Sequence, residues 1–170
     1  SFHKVPATYH SLPWKFVVVR QKNAELAKLA YGANYDQVME APVTIALFTD
    51  TDLQKRARKI ARVGGVKNFT DEQLQYFMQN LPAEFARYDA QQTSDYLALN
   101  AGLVAMNLVL ALTDQGIGTN IILGFDKSKI NEVLDIEERF RPEVLITVGY
   151  AAEKVEPSYR LPVDEIIDKR

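Results

Sequence analysis

Residues 97–112, LALNAGLVAMNLVLAL, form the longest apolar stretch of the chain, interrupted only by Asn100 and Asn107. Drawn as a helix, the stretch is apolar on every face. A helix apolar all round is buried all round, so it is expected at the centre of the molecule. A turn at Gln115-Gly116 leads to a short strand over 119–123, which stops at Gly124-Phe125-Asp126. Asp126 is placed to cap a helix through Leu134. A glycine at the end of a strand leaves backbone N–H groups open to a ligand. Such a place holds a flat cofactor with main chain rather than with reactive side chains.

The rest of the pattern alternates strands and helices. KFVVVR (15–20), VTIALFT (43–49) and EVLITVGY (143–150) are short β-branched runs that read as buried strands. Helical spacing covers residues 22–30 and 35–40. Asp50 is expected to cap a basic helix that ends at Gly64-Gly65. Thr70 and Gln73 form a capping-box pattern for a helix to about Asn80, and Pro82 restarts a helical segment through Tyr88. Thr93 or Ser94 is expected to open the long central helix. Strands separated by helices give a sheet covered by helices, with its strand order open. The tail from Ala151 carries Pro157 and Pro162 and is too extended to fold on itself, so it is expected to wrap a second subunit.

Composition narrows the function. A chain of 170 residues, 47% hydrophobic and 25% charged, buries one good core, so 1–170 is expected to be a single domain. A net charge of −2 gives no electrostatic case for nucleic acid or an anionic membrane. Lys55, Arg56, Arg58, Lys59 and Arg62 make a local basic run, which at helical spacing reads as a solvated face rather than a phosphate track. The chain has no cysteine, which removes disulfides, thiolate nucleophiles and sulfur-ligated metals and suits a cytoplasmic protein. No uninterrupted apolar run reaches membrane-spanning length. The chain opens Ser-Phe-His-Lys without Met and meets an apolar strand almost at once, so a natural N-terminal segment is expected to precede it.

Side chains suited to acid–base work are few. His3 and His10 are the only imidazoles, and neither has metal-ligand spacing. Neither GxSxG nor GxxxxGK[ST] occurs, and Gly116-x-Gly118 precedes a strand instead of joining strand to helix, which weakens it as a dinucleotide fingerprint. Glu137, Glu138 and Glu153 fall in polar surroundings and read as surface groups. Trp14 reads as core packing at a strand start, and Asn107 as a buried hydrogen-bonder. Tyr76, Phe77, Phe85 and Tyr88 read as core or dimer packing, with substrate stacking as the alternative. An enzyme with this inventory leaves the hard chemistry to a bound cofactor.

Three segments in order resemble the FMN-dependent nitroreductase family. They are Val5-Pro6-Ala7-Thr8-Tyr9-His10-Ser11-Leu12-Pro13-Trp14-Lys15-Phe16, the central helix followed by Gly116-Ile117-Gly118 and Gly124-Phe125-Asp126, and Gly149-Tyr150 through Pro157-Ser158-Tyr159-Arg160-Leu161-Pro162. The resemblance implies an α/β (α+β) fold, three layers α-β-α around a mixed, largely antiparallel sheet. It implies a homodimer with FMN at the subunit interface, and NADH or NADPH as electron donor. Hydride passes through flavin N5 to a nitroaromatic, quinone or similar acceptor in a ping-pong cycle, with no side chain as an obligatory acid or base. By position, the loop bearing Pro6, Thr8 and His10 contacts the flavin from the neighbouring subunit, and Asn34 reaches its pyrimidine edge. Backbone at Ile122, Leu123 and Gly124 lies beside the ring, and Arg160 grips the phosphate. His10 stands where the family usually has Asn, Leu12 where Gln is common, Ala7 in place of a serine, and Gln37 and Ser158 where lysines can occur. A flavin-binding or flavin-scavenging protein of the same fold with little turnover is the alternative, and a non-flavin interaction module a third reading.

Overall fold

The computed structural model describes residues 7, 11–21, 23–66, 69–152 and 158–169. Four strands pair in the order β1-β2-β4-β3: β1 Trp14–Val19, β2 Val43–Asp50, β3 Gly118–Ile122 and β4 Phe140–Gly149. All three pairings are antiparallel. The largely antiparallel sheet that the family resemblance implies is therefore present, and among the described residues no parallel strand joins it.

Side-chain alternation gives the sheet two apolar faces. Val19, Ala46, Phe48, Ile122 and Leu145 pack on α1 Asn23–Ala27, α2 Asn34–Glu40 and α7 Ile130–Leu134. Leu47 and Ile146 face the opposite way, onto Ala101, Val104, Ala105 and Leu108 of α6 Ala90–Thr113. A second small core lies under α3 Leu53–Val66, α4 Asp71–Gln75 and α5 Leu81–Phe85, where Leu53, Ala57, Phe77, Leu81, Phe85 and Leu97 meet. Phe77 and Phe85 are buried there, in ring contact with Tyr76 and Tyr88, as the packing reading expects.

The β2–β4 register slips between Leu47, opposite Val144, and Phe48, opposite Pro142, so Glu143 is an extra residue in β4. Pro142 has no N–H for a ladder bond, and such a residue is tolerated inside a sheet at a bulge. The bulge reverses the facing of what precedes it, and Phe140 joins the α1/α2/α7 side although Val144 and Ile146 face α6. Glu143 then accepts from Thr49 Oγ1 (2.5 Å) and Arg141 Nε (2.8 Å), while Arg141 Nη1 donates to Ser94 Oγ (2.8 Å). One buried carboxylate thus ties β2, β4 and α6 together.

Several local expectations change. The Thr70–Gln73 capping box forms with both reciprocal bonds, but a second one, Asp89 with Gln92, starts α6 four residues ahead of Thr93. Between α4 and α5 the chain widens into a π-turn, Tyr76–Asn80, with Leu81 N–H reaching back to Tyr76 O just before Pro82. Asp52, not Asp50, caps α3 by accepting from Lys55 N–H (2.9 Å), because Asp50 is held by Arg139. α3 also runs through Gly64-Gly65 to Val66, and the Phe69 ring lies so close to Gly64 that a side chain there would collide with it.

α6 differs most from expectation. It is long and apolar enough to cross a membrane by length and composition alone, yet only one side is buried, against the sheet. Leu99, Leu103, Met106 and Leu110 are exposed on the other, and Asn107 is exposed with them. The buried amide is Asn100, whose Nδ2 donates to Tyr96 O (2.8 Å). A sheet has only enough surface to cover one side of a helix, so the rest of an all-apolar helix stays open until something else packs on it.

Leu145 is fully buried on a central strand. Leu145→Ala is expected to lower the unfolding free energy by about 2–5 kcal/mol, the range for leucine truncation in a core, as read by urea denaturation.

Candidate functional site

The turn after β3 is stitched to the connection between α1 and α2. Gly124 O accepts from Tyr31 N–H (2.9 Å) and Asn34 Nδ2 (3.3 Å), and Asp126 N–H donates to Leu29 O (2.8 Å). An isolated bridge joins Ala30 to Phe125. Gly32 turns the connecting chain with φ +57°, a conformation that glycine adopts without a Cβ penalty. A Cβ at Gly124 would lie 2.8 Å from Asn34 Nδ2, so a side chain there would push that amide aside.

These bonds use the Gly124 carbonyl and leave its N–H without a backbone partner among the described residues. Ile122 is buried and anchors the turn, while Leu123 is 65% exposed. Tyr31 and Tyr35 are exposed nearby on the α1–α2 segment, and Asn120 Nδ2 donates across to Gln37 Oε1 of α2 (2.5 Å). A groove of about 380 Å³ continues from Gln37 and Asn120 along β3 to Gly149 and Tyr150. The turn thus offers a main-chain donor, amide side chains and apolar or aromatic surface, a set suited to hydrogen-bonding and flanking a planar heterocycle. No cluster of His, Cys, Asp or Glu able to hold a metal occurs among the described residues.

Asn34, Ile122, Leu123 and Gly124 are therefore brought together. Arg160 is not joined to them: its Nη1 donates to Ser158 Oγ (2.5 Å) and Tyr159 O (2.8 Å) in the exposed tail. Pro6, Thr8 and His10 lie outside the described residues. The sequence reading missed Tyr31, Tyr35 and Asn120. Asn120 lies two residues before buried Ile122 in β3, on the same face, and that spacing already placed it on the α2 side of the sheet.

The residues just after the Pro6–His10 loop are firmly held. Ser11 is fully buried, and its Oγ shares a 2.5 Å hydrogen bond with Tyr96 OH. Burial pushes the Tyr96 phenol up to about 12, so it keeps its proton through the neutral range. Arg56 donates through Nε to Ser11 O (3.2 Å) and through Nη2 to Leu12 O, and Leu12 takes φ +43°. Burial pulls the Arg56 guanidinium below its usual range, an effect that Asp50 opposes. The strand entry is thereby fixed from both α6 and α3.

A sequence model described as the Nitroreductase family matches residues 2–150. A Streptococcus pyogenes protein named provisionally as an NAD(P)H nitroreductase is 61% identical, over 97% of this chain and 82% of its own length. Among solved structures, a nitroreductase family protein of Streptococcus pneumoniae is 80% identical, with a TM-score of 0.97 over 99% of this chain and 84% of that one. A provisionally named nitroreductase of Exiguobacterium sibiricum, solved in complex with FMN, is 28% identical with a TM-score of 0.89, over 99% and 82%.

Tyr96→Phe leaves the buried Ser11 hydroxyl without its partner. A stability loss of about 1–3 kcal/mol is expected, measured by chemical denaturation.

Proposed function

The chain belongs to the Nitroreductase family, and from that premise we propose that it is an FMN-dependent NAD(P)H oxidoreductase acting on nitroaromatic, quinone or similar acceptors. The observation that carries this reading is the Gly124 turn: a carbonyl tied back by Tyr31 N–H and Asn34 Nδ2, with the N–H beside it lacking a backbone partner among the described residues. The residues fit a flavin, because the donor is main chain and the space is kept open by a glycine whose Cβ would crowd Asn34. When bound, FMN supplies the hydride chemistry, accepting two electrons from NADH or NADPH and passing them to the acceptor in a ping-pong cycle.

The chain's own part is to bind and orient. Ile122, Leu123 and Gly124 would present backbone to the ring edge, with the Gly124 N–H aimed where negative charge gathers on reduction. Asn34 would offer its amide to the pyrimidine edge. Arg160 would hold the phosphate, which a guanidinium fork suits. Pro6, Thr8 and His10 would reach the ring from the neighbouring subunit. Ser11 and Leu12, which follow them in the chain, are held by Tyr96 and Arg56.

The same proposal needs a homodimer. The outer side of α6 supplies a surface for it: Leu99, Leu103, Met106 and Leu110 follow helical spacing, and Ala98 and Gly102 between them permit close approach. Leu161, Val163, Ile166 and Ile167 of the tail are also exposed, consistent with a segment that wraps a partner subunit.

Three outcomes check this. Purified protein is expected to take up FMN, and anaerobic titration with NADH or NADPH to bleach the flavin band. Bound flavin that neither donor reduces would favour the scavenging alternative, and no uptake at all would overturn the proposal. Gly124→Ala is expected to weaken FMN binding about tenfold, equivalent to about 1.4 kcal/mol, in a fluorescence titration. Met106→Glu, placing charge in the α6 stripe, is expected to shift the protein from dimer to monomer in sedimentation velocity.

A further inference from the structure

We propose that a recess separate from the groove beside the Gly124 turn, between the first turns of α3 and the starts of β1 and β4, binds a polyvalent phosphate group. The recess has a volume of about 340 Å³, and Trp14, Lys15, Lys55, Arg56, Lys59 and Arg139 contribute to its wall. Asp50, Glu137 and Phe140 complete it. It therefore gathers five cations against two carboxylates in a chain whose net charge is −2.

Both carboxylates are already spoken for. Arg139 Nη1 donates to Asp50 Oδ1 and Oδ2 (3.1 and 3.0 Å), and Arg139 Nε donates to Glu137 Oε2 (3.0 Å). Arg56 turns two of its nitrogens to the Ser11 and Leu12 carbonyls. Lys15, Lys55 and Lys59 have no carboxylate partner among the described residues. The Lys15 ammonium instead sits 4.3 Å from the centre of the Phe140 ring, with the Arg139 guanidinium 4.5 Å from that same centre. Like charges are thus drawn together around a concavity without the anions that would neutralise them, an arrangement that favours a multiply charged anion entering it.

The α3 N-terminus adds nothing decisive, since Asp52 already caps it. The case rests on the side chains. Lys55 and Lys59 are one helical turn apart and line one wall, whereas Arg58 and Arg62 of the same basic run are exposed and do not line it. The run read from sequence as a solvated face is therefore divided, and part of it faces a cavity. Trp14 also lines that cavity, while its side chain packs on the Leu47 and Ile146 side of the sheet. A pyrophosphate-bearing ligand, alone or as a nucleoside diphosphate, matches charge and shape.

The test uses the full chain incubated with excess FMN, so that a flavin phosphate site is filled beforehand. Inorganic pyrophosphate and ADP are titrated at low ionic strength by calorimetry, with emission of Trp14, the only tryptophan, followed in parallel. Binding of either ligand, weakened by added salt and at least tenfold weaker in Lys55→Ala/Lys59→Ala, supports the site. ADP binding tighter than pyrophosphate identifies a nucleotide ligand, and equal binding identifies the phosphate group alone. The two substitutions are on exposed side chains, and an unchanged melting curve confirms that the variant folds. No binding at millimolar ligand, or binding unchanged in that variant, overturns the proposal.

Discussion

The one-residue slip in β4 is the constraint on which the two sides of the molecule depend. Pro142 cannot complete a ladder bond, and the extra Glu143 absorbs the mismatch with β2. Downstream of the slip, Val144 and Ile146 pack on α6, and upstream Phe140 packs on the α1/α2/α7 side. A β4 without the slip would turn Phe140 towards α6 and remove it from beneath Lys15 and Arg139. Glu143 brings its carboxylate to Thr49 and Arg141, and through Arg141 to Ser94. A buried acid paired this way avoids the penalty of an isolated charge while fixing how the helix sits on the sheet.

The two edges of the sheet do different work. At the β3 exit the groups around Gly124 are main chain, amide and aromatic, and the Asp126 carboxylate is paired with Lys129. Around the starts of β1 and β4 the surface is cationic, and the carboxylates that remain are locked to Arg139. A site built on peptide groups is insensitive to pH near neutrality, because amides do not titrate there. That property suits a protein whose reaction is carried by a cofactor rather than by its own acids and bases.

Much of this could be read from the sequence where the signal was local. The strands came from β-branched runs, the Thr70–Gln73 box from a four-residue pattern, and the Gly124 turn from a glycine closing a strand. Reasoning failed where a property depended on what lay opposite. The hydrophobicity of α6 did not reveal that the sheet covers one side only, which misplaced Asn107 and overlooked Asn100. Gly64 looked like a helix stop, yet it marks the place where Phe69 crosses the helix. Asp50 resembled a cap until Arg139, far along the chain, claimed it. Arg160 bonds to Ser158 and Tyr159 of its own tail among the described residues.

The central pairing also has a cost during biosynthesis. β2 and β4 meet through register partners as remote as Val43 and Val148, so the chain must bring in nearly everything between them before its middle strands can zip. Topologies of that kind fold slowly. Throughout the delay the outward leucines of α6 are bare, and a slow folder with a sticky helix is the sort of chain that profits from a chaperone.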